Sequence, residues 1–258
     1  MSQRLDSDRP ARALIWDLPT RVFHVLLAVS FLAAFAVATL VDDDSPAFAI
    51  HMLLGGVAAF LVVLRTVWGL IGTRWARFSS FAFGPRAVVA YARDALRGRD
   101  PRHAGHNPGS SWATYAILLL TIGLAASGVL MGSAGHWMKE VHEVLAYSLL
   151  GVVAIHLAGV AWYTVRHREN IALGMVDGRK AAEPAHAIAS ARPGAALALL
   201  VLTGVWGAGL VRSYDPATRT VAVLGRTIAL GDENDGAKDK GKDHAGDAGR
   251  KRHDRDDD

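Results

Sequence analysis

The 258-residue chain contains no cysteine. Disulfides, thiolate-bound iron–sulfur clusters and C-x-x-C-H attachment of haem are therefore excluded, and any haem must be held without a covalent link, by His or Met. A G-x-G-x-x-G fingerprint is also missing, which argues against a self-contained nicotinamide or flavin enzyme. No segment recurs at a fixed period. Acidic and basic residues nearly cancel, 24 against 28. The small positive excess falls in arginines between apolar runs rather than in one basic patch, so nucleic acid is not an expected partner.

What the chain does have is long apolar runs. About twenty apolar residues cross a hydrocarbon core, and five candidates lie near 22–41, 48–71, 112–132, 142–165 and 194–211. In lipid only helices and closed barrels satisfy the backbone, so the expected fold is all-α, an integral membrane helical bundle. The first run also has features of a secretory signal, a basic start and Ala36-Val37-Ala38. It is long for that role and carries His24, so retention as a transmembrane helix fits better.

Charge bias orients the spans. Link 72–111 holds seven arginines against Asp94 and Asp100, and Arg166, Arg168, Arg179 and Lys180 follow the fourth run. Link 42–47, DDDSPA, has no Lys or Arg. The N-terminus and the 72–111 and 167–193 segments are thus expected in the cytoplasm, with 42–47 and 133–141 on the opposite, periplasmic side. The expected divisions are an N-terminal cytoplasmic segment (1–13), a four-helix domain (14–170), a cytoplasmic linker (171–193), a fifth span (194–211) and a polar tail (212–258), disordered from about 231. Pro85-Arg86-Ala87 leading into Val88, Val89 and Tyr91 suggests a short interfacial helix. TRTVAVLG alternates like one strand of a hairpin.

The fourth run organises the rest. VHEVLAYSLLGVVAIHLAGVAWYTVR carries His142 and His156 fourteen residues apart, nearly four helical turns and roughly 21 Å. Both imidazoles then point to nearly the same side, one near each edge of the bilayer. His24 starts the first run and His51 the second. The inferred topology places His24 at the level of His156 and His51 at that of His142, and it excludes a His24–His51 pair. Two histidines at matched depth on facing helices can clamp one haem, so the four make two stacked bis-His sites. The depth match is closer for His51 and His142. His24 sits only two or three residues inside its run, whereas His156 lies nine residues, about 13 Å, from Val165.

Arg65 follows His51 by the same fourteen residues, at the level of the His24–His156 pair. A buried Arg needs an anionic partner, and haem propionates would serve; the alternative is snorkelling to the headgroups. Gly55, Gly56, Gly151 and Gly159 offer room for a macrocycle, or close helix packing. His136 is a candidate for proton or quinone chemistry. His103 and His106, lacking a third ligand nearby, are expected in a solvated loop, as are His244 and His253 in the tail; His167 is expected at the interface.

IWDLPTRVFHVLLAVSF, with Trp16, Asp17, Arg21, Phe23 and His24, resembles the opening of the bacterial cytochrome b561 family, which includes the b-type cytochrome subunits of nickel–iron hydrogenases. The second span, with His51, Gly55, Arg65, Trp68 and Gly69, resembles its H-x-x-x-G … R-x-x-W-G pattern. His142 and His156 resemble its H-x13-H span. Val25 departs from the Trp found in many members. The resemblance covers roughly residues 14–170. It implies haem b and electron transfer between the quinone pool and a redox partner, such as a hydrogenase, another oxidoreductase or a c-type cytochrome.

The expectation is a four-helix dihaem core plus a fifth transmembrane helix, in the bacterial inner membrane with a cytoplasmic N-terminus. It would bind two haem b, ligated by His24/His156 and His51/His142, with Arg65 at the cofactor. Lipid, quinone and a protein redox partner are the expected partners, and an oligomer is compatible with the sequence. Saturated iron favours an electron-transfer subunit over a self-contained enzyme. A superoxide or ferric oxidoreductase and a haem-free transporter or anchor with histidine proton relays are the rivals.

Overall fold

The computed structural model describes residues 11–99, 101–134, 137–223 and 225–229. Five helices are long and apolar enough to cross a membrane: α1 (Leu18–Leu40), α2 (Ala49–Ile71), α4 (Pro108–Ala134), α5 (Trp137–His167) and α7 (Pro193–Ser213). Between them lie α3 (Pro85–Leu96) and α6 (Gly174–Asp177). Short strands β1 (Arg12–Leu14) and β2 (Arg179–Ala181) pair antiparallel, as do β3 (Tyr214–Asp215), β4 (Thr220–Val223) and β5 (Arg226–Ala229) in the order β3-β4-β5.

The helices start where capping chemistry permits. Asp17 caps α1, its Oδ1 accepting the Thr20 amide at 2.9 Å, and Pro19 occupies the first turn, where a missing N–H costs nothing. The cap lies five residues before the apolar run, so His24 sits two turns into α1 rather than at its edge. Asp17 also accepts through Oδ2 from Trp68 Nε1 at 3.0 Å and from the Thr73 hydroxyl. One carboxylate thereby ties the start of α1 to the end of α2. At Gly69, a Cβ would stand 2.2 Å from the Phe78 ring, so only glycine admits the returning chain here.

The buried apolar cluster joins α1, α2, α4 and α7 through Phe23, Leu27, Ala58, Leu61, Val62, Leu118 and Leu199. Water exclusion does not drive association inside lipid, so close packing and interhelical hydrogen bonds must hold these helices. They do so at α7. Trp206 stacks on Phe60 at 4.8 Å and donates to the Gly56 carbonyl at 3.1 Å, while Leu210 packs where a Gly56 Cβ would lie. Gly56 therefore serves helix packing. The fifth span is part of the apolar core.

Helix α5 is different. It packs along α4, and neither α1 nor α2 makes a comparable contact with it. Side chains reach across instead: Phe35 meets Tyr147 at 5.9 Å and His51 meets His142 at 6.0 Å. Among its described residues only Met138, Leu149 and Tyr163 are buried.

The arginine-rich edge is a folded layer. Ile15 and Trp16 donate to the Gly178 carbonyl, and glycine is required at 178 both by the positive φ of 78° and because a Cβ would strike the Trp16 carbonyl. Segment 171–193 carries α6 and β2 and packs on the chain start. Lys180, from β2, donates to the His103 and Gly105 carbonyls. Helix α3 leaves Val89 and Leu96 exposed, with Arg86 and Arg93 flanking that stripe, an interfacial pattern. At the other edge, Arg219 donates to the Asp43 and Asp44 carbonyls and Lys139 pairs with Asp43 at 2.7 Å.

Candidate haem-binding site

The two ends of the cleft between α5 and the α1–α2 pair carry the histidines. At the acidic-link end, the His51 and His142 ring centroids stand 6.0 Å apart at an interplanar angle of 73°. Metal–imidazole bonds are about 2 Å long, and a ring nitrogen lies roughly 1 Å from its ring centroid. Two imidazoles on opposite faces of one iron therefore have centroids about 6 Å apart. The observed separation fits that requirement.

The protons fit as well. His51 Nδ1 lies 2.9 Å from the Ala34 carbonyl, which can only accept, so Nδ1 carries the proton and Nε2 keeps its lone pair. His142 Nδ1 lies 2.9 Å from Ser127 Oγ, whose single proton goes to the Leu124 carbonyl at 3.1 Å. With that proton placement Ser127 accepts from His142 Nδ1–H, which leaves Nε2 free to ligate. Orienting a ligating imidazole through its other nitrogen is the usual second-shell arrangement. Gly55, one turn after His51, borders open space, since a Cβ there would meet nothing within 4 Å. Gly151 and Gly159 also border open space, but Gly151 is exposed and lies half a turn from the His142 face.

At the arginine-rich end, His24 and His156 are electrostatic neighbours, and His24 is open along one side. Arg65 is buried, donates Nη2 to the Ala76 carbonyl at 3.0 Å, and stacks on Phe78 with its guanidinium 5.0 Å from the ring centroid. It does not snorkel. Its Nη1 is buried without a hydrogen-bond partner. Such an orphan costs about 1–3 kcal/mol, more when charged.

His106 corrects the expectation of a solvated loop. Its ring packs 4.2 Å from Phe81 and 4.8 Å from Trp16, and its Nδ1 is buried and unpartnered. Burial, with Arg65 and Lys180 as positive neighbours, pushes its pKa down to about 3, so the imidazole is neutral. Loop 103–106 is held down because the buried Lys180 ammonium binds its carbonyls, a tertiary contact with no local signal. Among the described residues no group of three His, Asp or Glu could hold a bare metal ion. His136, His244 and His253 lie outside the described residues.

Sequence reasoning missed Ser127, His106 and the Asp17–Trp68–Thr73 clamp. Ser127 had a readable signal, a hydroxyl fifteen residues before His142 in an otherwise apolar run. The Ala34 carbonyl had none.

The arrangement suits paired imidazole ligation at two depths. Residues 15–178 match the model of a family described as prokaryotic cytochrome b561. No curated protein and no solved structure matches the chain.

Proposed function

Because the chain belongs to the prokaryotic cytochrome b561 family, and is thus a multi-pass membrane b-type cytochrome of electron transfer, we propose that it holds two haems b. His51 and His142 ligate one, and His24 and His156 the other. Arg65 faces the propionates of the second. Electrons pass between the two membrane faces of the bacterial inner membrane, with the N-terminus cytoplasmic. They exchange there with quinone and with a protein redox partner such as a hydrogenase, another oxidoreductase or a c-type cytochrome.

The observation that carries this reading is the 6.0 Å His51–His142 separation with both Nδ1 atoms tethered. Haem b, when bound, supplies a one-electron ferric–ferrous couple. The chain's residues then have defined tasks. Ala34 and Ser127 fix ring orientation and keep Nε2 free to ligate. Held by two imidazoles, each haem would have no open position for oxygen. Helices α1, α2 and α4 wall the cleft with apolar side chains and exclude water. In the proposed orientation the arginines of 72–111, including those beside the α3 stripe, face the anionic cytoplasmic leaflet.

The test is haem stoichiometry and the reduced α-band of the purified protein. Two haems per chain are expected, falling to one in His142→Ala and to one in His156→Ala, with different residual spectra. A dithionite-reduced wild type without a b-type α-band would leave the haem-free transporter or anchor as the better reading. Loss of both haems in each variant would overturn separate sites.

A further inference from the structure

Besides Glu169 Oε2, an acceptor, three buried polar atoms at the arginine-rich end have no partner among the described residues: Thr20 Oγ1, Arg65 Nη1 and His106 Nδ1. They come from three separate elements, α1, α2 and the loop before α4, and the Arg65 guanidinium lies 6.0 Å from the ring of Phe23, the residue before His24. Thr20 lies one turn before His24 on the same face of α1. Arg65 is an electrostatic neighbour of His106, and His106 of His156. Buried polar groups are almost always satisfied, so unpartnered atoms on neighbouring elements point to a ligand; Thr20 and Arg65 can donate to it, and His106 donates in its Nδ1–H tautomer.

The chemistry of that ligand follows from the donors. Asp17 is an anionic neighbour of Arg65, but its oxygens accept from the Thr20 amide, Trp68 and Thr73 and make no hydrogen bond to the free Arg65 arm. A guanidinium with one arm fixed on Ala76 presents its other arm as a charged donor. Thr20 and His106 add a hydroxyl and an imidazole N–H, and Lys180 adds a second buried cation nearby. Such a set matches a carboxylate better than a neutral carbonyl.

Resting on the haem reading above, we propose that His106 and Thr20 are positioning residues that complete, with Arg65, a three-donor cradle for one haem carboxylate at the His24–His156 site. Phe81 and Trp16 hold the His106 ring in place, which explains why loop 103–106 is folded under Lys180 instead of left in solvent.

The test is potentiometric titration of the α-band in purified holoprotein, with haem content measured beside it. Removing a donor leaves the carboxylate charge less compensated, which favours ferric iron. His106→Leu is expected to lower the midpoint of one haem by at least the equivalent of a tenfold change in reduced-to-oxidised binding ratio, about 59 mV for one electron. The other haem is unchanged. Thr20→Val shifts the same haem in the same direction by less. His106→Gln, which keeps an N–H donor, stays close to the wild-type midpoint. In a His24→Ala background, where that haem is absent, His106→Leu should move nothing.

An unshifted midpoint in both His106→Leu and Thr20→Val, at full haem content, would overturn the cradle while leaving bis-His ligation intact. Equal shifts in His106→Leu and His106→Gln would also overturn it, as would a shift confined to the other haem. If His106→Leu fails to fold, Thr20→Val and His106→Gln decide alone. A wild type with no α-band would sink the haem reading itself, a separate outcome.

Discussion

The two ends of the cleft solve the same positioning problem in opposite ways. At the acidic-link end the proposed ligands themselves are held: His51 on the Ala34 carbonyl and His142 on Ser127. No buried cation is found there among the described residues. At the arginine-rich end the surroundings are held. Asp17, Trp68 and Thr73 lock α1 to α2, Ser111 donates to the Phe81 carbonyl, and Lys180 pins the 103–105 loop. Arg65 and His106 keep unspent donors. A neutral end sets ligand geometry in advance, whereas a charged end sets the field around it.

The largest expected contrast is in stability. Asp17→Ala removes a cap, worth about 1 kcal/mol, and strands the Trp68 and Thr73 donors, at about 1–3 kcal/mol for a buried unsatisfied group. A loss of about 2–4 kcal/mol should follow, seen as a lower Tm in detergent. Ser127→Ala at the other end removes two side-chain hydrogen bonds, one of them to the Leu124 carbonyl of its own helix turn, and should cost about 1 kcal/mol. Equal losses would erase the distinction between a locked scaffold and locked ligands.

Haem content comes next. A Gly55→Leu side chain would enter open space beside His51, so it should lower occupancy of the His51–His142 haem alone, toward one haem per chain. Unchanged content of two would place the macrocycle elsewhere. Ser127→Ala sharpens the same end. Losing the acceptor for Nδ1–H makes the His142 imidazole less basic, which disfavours ferric iron. The midpoint of that haem should rise, with binding weakened about tenfold, the low end for second-shell partners. His106→Leu moves the other haem in the opposite direction.

The spans were legible because twenty-residue apolar runs leave the backbone little choice, and the helices extend each run by a few residues only where caps such as Asp17 allow. The fourteen-residue spacings of His142–His156 and His51–Arg65 could be read because helical geometry is rigid. Starting α1 at its cap rather than at the apolar run narrows the depth difference between His24 and His156 but does not close it, because α5 also runs on to His167. Two things could not be read. Helix α5 stands away from α1 and α2, yet the periodicity of its apolar residues is that of any span. The folding of 103–106 under Lys180 joins positions about seventy-five residues apart through backbone carbonyls, which carry no sequence signature.

The smallest expected effect is the pH response of that Lys180 contact, which only the charged end should show. The Lys180 ammonium is buried, and desolvation lowers its pKa to about 8, partly opposed by Glu169. The folded value thus lies below the unfolded value near 10.5. Between about pH 8 and 10.5 the unfolded chain binds a proton that the folded chain does not, so this residue's contribution to stability rises with pH there. Below about pH 8 both states hold the proton and the contribution is flat. The difference between wild-type and Lys180→Met Tm curves should therefore climb in favour of the wild type across that alkaline window. His106 is already neutral there and adds no slope. A difference curve that stays level would mean that Lys180 reaches solvent, and that the loop over the arginine-rich end is held by the Trp16 and Phe81 rings alone.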